Sequence, residues 1–182
     1  VKPGRRGSPV RFGTGVQADV KWLVQIYLLR HGIAENGAPG SPDSERALTA
    51  EGREKLRRVL QRARAADAVP SLILSSPYRR AMETAAVACE ILGYTGKVVK
   101  TRALVPGASP FDIWEEIRKR PQESAVLLAS HEPLMSSLAA FLLASPTLTV
   151  DMKKAALVRV DCDRIGPEPQ GVLKWMLTPA LA

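Results

Sequence analysis

The sequence predicts an α/β fold, a three-layer α/β/α sandwich around a mostly parallel central sheet. Three observations carry that expectation. Short runs rich in β-formers are nearly all apolar, as in strands covered on both faces. Other segments space their apolar residues along one face of a helix. The two kinds alternate along the chain, as parallel strands joined by helices do.

Residues 22–29, WLVQIYLL, read as the first strand. A Gly/Pro/Ser loop covers 32–45. Thr49 is placed to cap a helix in which Leu56, Val59, Leu60 and Ala63 keep helical spacing, with Arg and Lys on the other face. Residues 72–74 form a short second strand. Ser76-Pro77 reads as an N-cap with proline at the first helical position, opening a helix to about Leu92 that Gly93 ends. A third strand is expected over 97–104. Ser109-Pro110, with Asp112, starts a helix to about Arg120. Residues 125–129 form a fourth strand, and Pro133 opens a helix to about Ala144. The tail holds two further strands, 155–160 and 172–177, expected to pair like a hairpin.

The chain has 182 residues, 46% hydrophobic and 24% charged, a globular balance that fits one domain. No apolar run approaches the roughly 18 residues of a membrane span, and no apolar stretch follows the basic start as in a signal peptide. The net charge is +8, and residues 1–22 contribute +4 of it. Residues 1–21 are therefore expected to be a flexible basic arm, and 22–182 the single domain. Cys89 and Cys162 are far apart and form no CxxC. They are expected to be reduced thiols of a cytoplasmic protein, Cys89 buried on a helix.

An open α/β sheet binds ligands at the carboxyl ends of its strands. The first strand ends in Arg30-His31-Gly32, the second runs into Ser75-Ser76-Pro77-Tyr78-Arg79-Arg80, and the fourth ends in Ser130-His131-Glu132-Pro133. The only two histidines both follow a predicted buried strand directly. A single histidine there is ordinarily a capped or solvated residue. Two, with arginines beside them, point to a site. Imidazole is a competent nucleophile near neutrality, and guanidinium groups hold phosphate oxygens in a charged fork. Such a set matches phosphoryl transfer through a phosphohistidine. A zinc site draws three or four ligands, and no GxxxxGK[ST] loop occurs. Neither a metal nor another cofactor is expected.

These residues sit in a longer pattern. Residues 28–35 (LLRHGIAE), 46–52 (RALTAEG), 74–85 (LSSPYRRAMETA), 104–110 (LVPGASP), 130–134 (SHEPL) and 175–179 (WMLTP) occur in one order over about 23–179. The set resembles the RHG signature of the histidine phosphatase superfamily, and most closely its small SixA-type phosphohistidine phosphatases. The resemblance implies a phosphoglycerate-mutase-like fold. It implies that Arg30 binds the phosphoryl oxygens, that His31 is the nucleophile, and that Arg80 and His131 complete the pocket. Arg46 matches a family position, as a phosphate contact or a loop surface charge. Arg79 is off the pattern and reads as a helix-surface charge.

Larger members of the superfamily protonate the leaving oxygen with a carboxylate. Glu132 is the nearest candidate here, and it serves equally as a residue favoured by the helix dipole; Asp112 fits a cap better. A weak or absent acid suits an N–P bond, because a phosphorylated imidazole can take its proton beforehand. Arg80 and His131 are only 51 positions apart, and the residues between must build most of two helices and two strands, which leaves little for a lid. The expected function is therefore hydrolysis of phosphohistidine on a protein, such as a histidine-phosphotransfer domain, with inorganic phosphate as product. The alternatives are a phosphatase of a small phosphorylated molecule and a non-catalytic phosphoprotein-binding module. No membrane partner is expected. Nucleic-acid binding through the basic arm is weakened by how few aromatic residues the chain has, 3 Phe, 3 Tyr and 3 Trp.

Overall fold

Strand β1 (Leu23–Arg30) sends alternate side chains into two separate cores, which is why its sequence is apolar almost throughout. Val24, Ile26 and Leu28 enter one core; Tyr27 and Leu29 enter the other. A computed structural model describes residues 23–163 and 167–182. The arm expected at 1–21, and Trp22, lie outside the described residues.

Along the described chain follow α1 (Ala50–Ala65), β2 (Leu72–Ser75), α2 (Arg79–Leu92), β3 (Val99–Lys100), α3 (Pro110–Arg118), β4 (Ala125–Ser130), α4 (Leu134–Leu142), β5 (Leu157–Asp163) and β6 (Gln170–Leu177). The strands form one sheet in the order β3-β2-β4-β1-β5-β6. Pairings β3-β2, β2-β4 and β4-β1 are parallel; β1-β5 and β5-β6 are antiparallel. The expected three-layer arrangement is present as a mixed sheet.

Each face of the sheet is covered by a helix pair. Leu56, Val59, Leu60 and Ala63 of α1 join Ala85, Ala88 and Leu92 of α2 over one face. Ile113, Trp114 and Ile117 of α3 join Leu134, Met135 and Leu138 of α4 over the other. The apolar stripe read in α1 is this buried face, and the Thr49 hydroxyl caps the helix by accepting from Gly52 N.

Several boundaries differ from the sequence reading. The strand expected over 97–104 shrinks to Val99–Lys100, because Thr101 caps a 3₁₀ turn at Arg102–Leu104 through its hydroxyl. Helix α2 starts at Arg79, since Tyr78 keeps an extended ψ of 137°. Helix α3 stops at Arg118, because Pro121 disfavours a helical residue before it. Helix α4 stops at Leu142, two residues before Ala144 turns left-handed with φ 49°. Ala155, at φ 64°, likewise delays β5 to Leu157, which then continues through Asp163. Strand β6 begins earlier than expected, at Gln170. Of the two cysteines, Cys162 is buried, whereas Cys89 is only half-buried on α2.

No helix among the described residues is long and apolar enough to cross a membrane.

Candidate active site

The parallel register brings three strand ends together. Arg30 of β1 is level with Ser130 of β4, and Ala129 of β4 is level with Ser75 of β2. His31, His131 and Ser76 therefore leave the sheet side by side. Backbone bonds continue the ladder one residue further, from His31 N to Ser130 O (2.9 Å) and from Ser76 N to Ala129 O (3.0 Å).

His31 and His131 face each other with ring centroids 5.0 Å apart. Nδ1 of His31 donates to the carbonyl of Gly32 at 2.7 Å, a partner that fixes the proton on Nδ1. Nε2 then keeps its lone pair and accepts from Nε of Arg80 at 3.3 Å. Nε2 of His131 lies 2.9 Å from the hydroxyl of Ser76, and the Tyr78 ring packs edge-on against His131 at 5.0 Å. Among the described residues, the buried side-chain nitrogens without a hydrogen-bond partner are Arg30 Nε and His131 Nδ1. Both belong to this cluster.

Both imidazoles are held in the neutral form. Burial pushes the His31 pKa down to about 4, helped by Arg80, Arg30 and Lys154 and opposed by the bond to Gly32. Burial pushes His131 down to about 3, reinforced by His31, Arg80 and Arg30 and opposed by Asp43. A buried neutral imidazole whose second nitrogen keeps its lone pair is a nucleophile ready near neutral pH.

The loop between β1 and α1 supplies the rest. Arg80 donates from Nη1 to the Asp43 carbonyl (2.6 Å) and from Nη2 to the Asp43 carboxylate (2.8 Å). The same carboxylate accepts from Arg46 at 2.9 Å, and Arg46 Nε donates to the Glu35 carbonyl at 2.6 Å. These bonds hold the Asp43 carboxyl below its usual pKa range, Arg46 contributing first and Arg80 second. Arg46 therefore reaches the cluster through Asp43.

Close backbone approach explains two motif glycines. A Cβ on Gly52 would lie 2.2 Å from the Ile33 carbonyl oxygen, and one on Gly32 would lie 3.0 Å from the Gly52 carbonyl oxygen. The loop after His31 thus rests directly on the first turn of α1. Thr84 ties that loop to α2, since its hydroxyl accepts from Gly32 N (3.3 Å) and donates to the Arg80 carbonyl (2.7 Å).

Of the residues singled out in the sequence, Arg30, His31, Arg80 and His131 gather at one place. Arg79 is a surface charge paired with Glu83 at 3.0 Å, as read. Glu132 spends its carboxylate on α4, accepting from Ser136 N (3.2 Å) and the Ser136 hydroxyl (2.6 Å). Asp43 and Ser76 were missed. Ser76 reads as a helix cap, and its hydroxyl does accept from Tyr78 N at 3.3 Å, but its contact with His131 is tertiary. Asp43 sits in a polar loop with no signal that would single it out. Among the described residues, no three His, Cys, Asp or Glu gather to hold a metal.

The sequence profile of the histidine phosphatase superfamily (branch 1) matches residues 26–105, a span that includes Arg30, His31, Arg46, Gly52 and Arg80. An uncharacterized protein of Picosynechococcus sp. is 31% identical over 111 residues, 60% of this chain and 67% of that protein. Among solved structures, the protein histidine phosphatase SixA complexed with tungstate superposes with a TM-score of 0.76 at 24% identity. That match covers 86% of this chain and 98% of the other. A mycobacterial glucosyl-3-phosphoglycerate phosphatase superposes with a TM-score of 0.60 at 20% identity, covering 84% and 97%. At these identities the two superpositions establish a shared fold.

Proposed function

The chain belongs to the histidine phosphatase superfamily, and we propose that within it the protein hydrolyses phosphohistidine on another protein by way of a phosphorylated His31. The observation that carries this reading is the state of His31. Its Nδ1 is committed to Gly32, and its Nε2 lone pair faces the Arg80 guanidinium.

In this mechanism the phosphoryl group of the substrate sits among Arg30, Arg80 and His131. Nε2 of His31 donates its electron pair to phosphorus in line with the leaving imidazole. The P–N bond of the substrate breaks, and its electron pair stays on the leaving ring nitrogen. That ring already carries a proton on its other nitrogen, so it leaves neutral. Charge on the equatorial oxygens is met by the two guanidinium groups, and removing one such donor costs about 2–4 kcal/mol of barrier. Water then attacks phospho-His31, releasing inorganic phosphate and restoring His31 for the next turnover.

The position of Glu132 favours the N–P bond over an ester. Its carboxylate is used at the start of α4, and a phosphate ester requires an acid to protonate its leaving oxygen. Hydrolysis of a small phosphorylated molecule is the second reading, and the shared fold of the mycobacterial phosphatase keeps it in view.

The test compares a phosphohistidine protein with sugar phosphates as substrates of the wild type and of His31→Ala, with acid-labile phosphate on the enzyme measured after rapid quench. Faster turnover of the phosphohistidine protein, with labelled enzyme in the wild type and neither in His31→Ala, is the expected result. A preference for sugar phosphates would favour the second reading, and full activity in folded His31→Ala would remove the mechanism.

A further inference from the structure

Arg30 borders a second basic space beside His31. A cleft of about 610 Å³ is lined by Arg30, Lys55, Lys153 and Lys154, with Ile33 and Pro179 among its apolar walls. Among the described residues, no acidic side chain lines it. The cations come from three elements: the end of β1, the first turns of α1, and the loop before β5.

That loop is anchored to the active-site strand on both sides of the lysine pair. Arg30 Nη1 donates to the Met152 carbonyl at 2.5 Å, and Ala155 N donates to the His31 carbonyl at 3.1 Å. Arg30 N also donates to the Ala156 carbonyl at 3.0 Å. Lys153 and Lys154 are the two residues between these anchors, so their backbone is fixed relative to His31. Lys154 is near enough to help depress the His31 pKa.

The charges are available for a ligand. Lys55 pairs with Glu51 and Lys153 with Asp151, both at 2.6 Å, but these carboxylates are 63% and 73% exposed. Such surface pairs are weak and exchange readily for another anion. Lys154 makes no ion pair among the described residues. The Nε of Arg30 is buried and has no hydrogen-bond partner among the described residues.

We infer that this cleft is a second anion subsite, which takes an acidic side chain flanking the phosphohistidine of a protein substrate. The inference rests on the function proposed above and names its specificity determinants as Lys55, Lys153 and Lys154. Exposed ammonium groups hold a small free anion poorly, because water and salt screen them. A protein docked over the cleft excludes that water and strengthens each pairing.

The test uses two synthetic phosphohistidine peptides, identical except that one carries glutamates beside the phosphohistidine and the other glutamines. Turnover is measured with the wild type and with Lys153→Gln/Lys154→Gln, whose exposed side chains are not needed for folding. Binding is measured separately by calorimetry on His31→Ala. The glutamate peptide is expected to show a kcat/KM about five- to tenfold higher at low salt, a gap that closes in the double variant. Equal rates and equal binding for the two peptides would overturn the subsite, as would a gap unchanged in the double variant. If neither peptide is hydrolysed but the glutamate peptide still binds more tightly through the lysines, the proposed reaction fails and the subsite stands. If a lysine-dependent preference appears only for fructose 1,6-bisphosphate over fructose 6-phosphate, the protein source of the anion is overturned.

Discussion

Asp43 holds Arg80 at two points, its carboxylate 2.8 Å from Nη2 and its carbonyl oxygen 2.6 Å from Nη1. The guanidinium is nearly buried, whereas the Asp43 side chain is 56% exposed. A surface loop thus aims the arginine that faces His31, and its carboxylate lies where it repels an incoming phosphate.

Replacing Asp43 by Asn separates those two effects. The amide oxygen can still accept from Nη2 and the backbone carbonyl still accepts from Nη1, so Arg80 keeps its aim while the bond from Arg46 is given up. The repulsion is lost. An exposed charge pair contributes about 0.2–1 kcal/mol, so Asp43→Asn should bind inorganic phosphate a few-fold more tightly as a competitive inhibitor. Weaker binding in the variant would mean that the carboxylate's hold on Arg80 outweighs its repulsion.

Ser76 is the partner of His131, and both are buried. Ser76→Ala leaves Nε2 of His131 unsatisfied, which costs about 1–3 kcal/mol of stability. Urea denaturation should show that loss. The ring is also freed to rotate, so kcat should fall with little change in KM. Ser76→Thr, which restores a hydroxyl, should recover part of kcat, whereas a purely structural role would leave kcat of the folded variant unchanged.

The sequence made visible what depends on local pattern. The apolar run of β1 reads as a two-faced strand because Tyr27 and Leu29 are buried on one side and Ile26 and Leu28 on the other. Thr49 caps α1 as expected because the cap is a contact over three residues. His31 and His131 were readable because each directly follows a buried strand, and parallel register alone then brings them together. Contacts made by loops were not readable. Asp43 gains its role only when residues 43–45 fold over Arg80, and Ser76-Pro77 carries a cap signature that hides the bond to His131. The third strand was overread because Val98 and Val99 suggest a run that the Thr101 turn cuts short.

Gly52→Ala tests the contact beneath the site. The new Cβ would meet the Ile33 carbonyl at 2.2 Å, and neither backbone can yield without moving α1 or the loop after His31. The expected cost is about 3 kcal/mol or more, read as a lowered urea midpoint. Gly40→Ala is the control for glycine loss alone, since it has open space around it and is strained only by its φ of 81°. A smaller loss at Gly52 than at Gly40 would contradict the close approach.

Acid should weaken the fold through the two histidines. In the unfolded chain each titrates near 6.5, whereas burial holds His31 at about 4 and His131 at about 3 in the folded protein. Above pH 6.5 both states are neutral and stability is intact. As pH falls below 6.5 the unfolded chain takes up protons first, so stability declines until the folded values are passed. The loss assigned to His31 is on the order of 3 kcal/mol. Urea midpoints between pH 7 and 4 should fall, and the fall should shrink in His131→Gln. Ring ¹⁵N shifts should remain those of neutral imidazole at pH 5.5. Protonated rings at that pH would contradict the burial argument.

Glu132→Gln asks whether the reaction uses a general acid. The wild-type carboxylate accepts two hydrogen bonds from Ser136 at the start of α4. A glutamine oxygen can keep one of them, so the structural cost is the lost helix-dipole charge, about 0.3–1 kcal/mol. If Glu132 protonates no leaving group, kcat on phosphohistidine should stay within about threefold of wild type, because general acid–base assistance is typically worth a factor of about 10² or more. The ratio of activities on nitrophenyl phosphate and on an alkyl phosphate should also be unchanged. A hundredfold loss confined to the alkyl ester would identify Glu132 as the acid. It would also remove the argument that the site's chemistry favours an N–P bond.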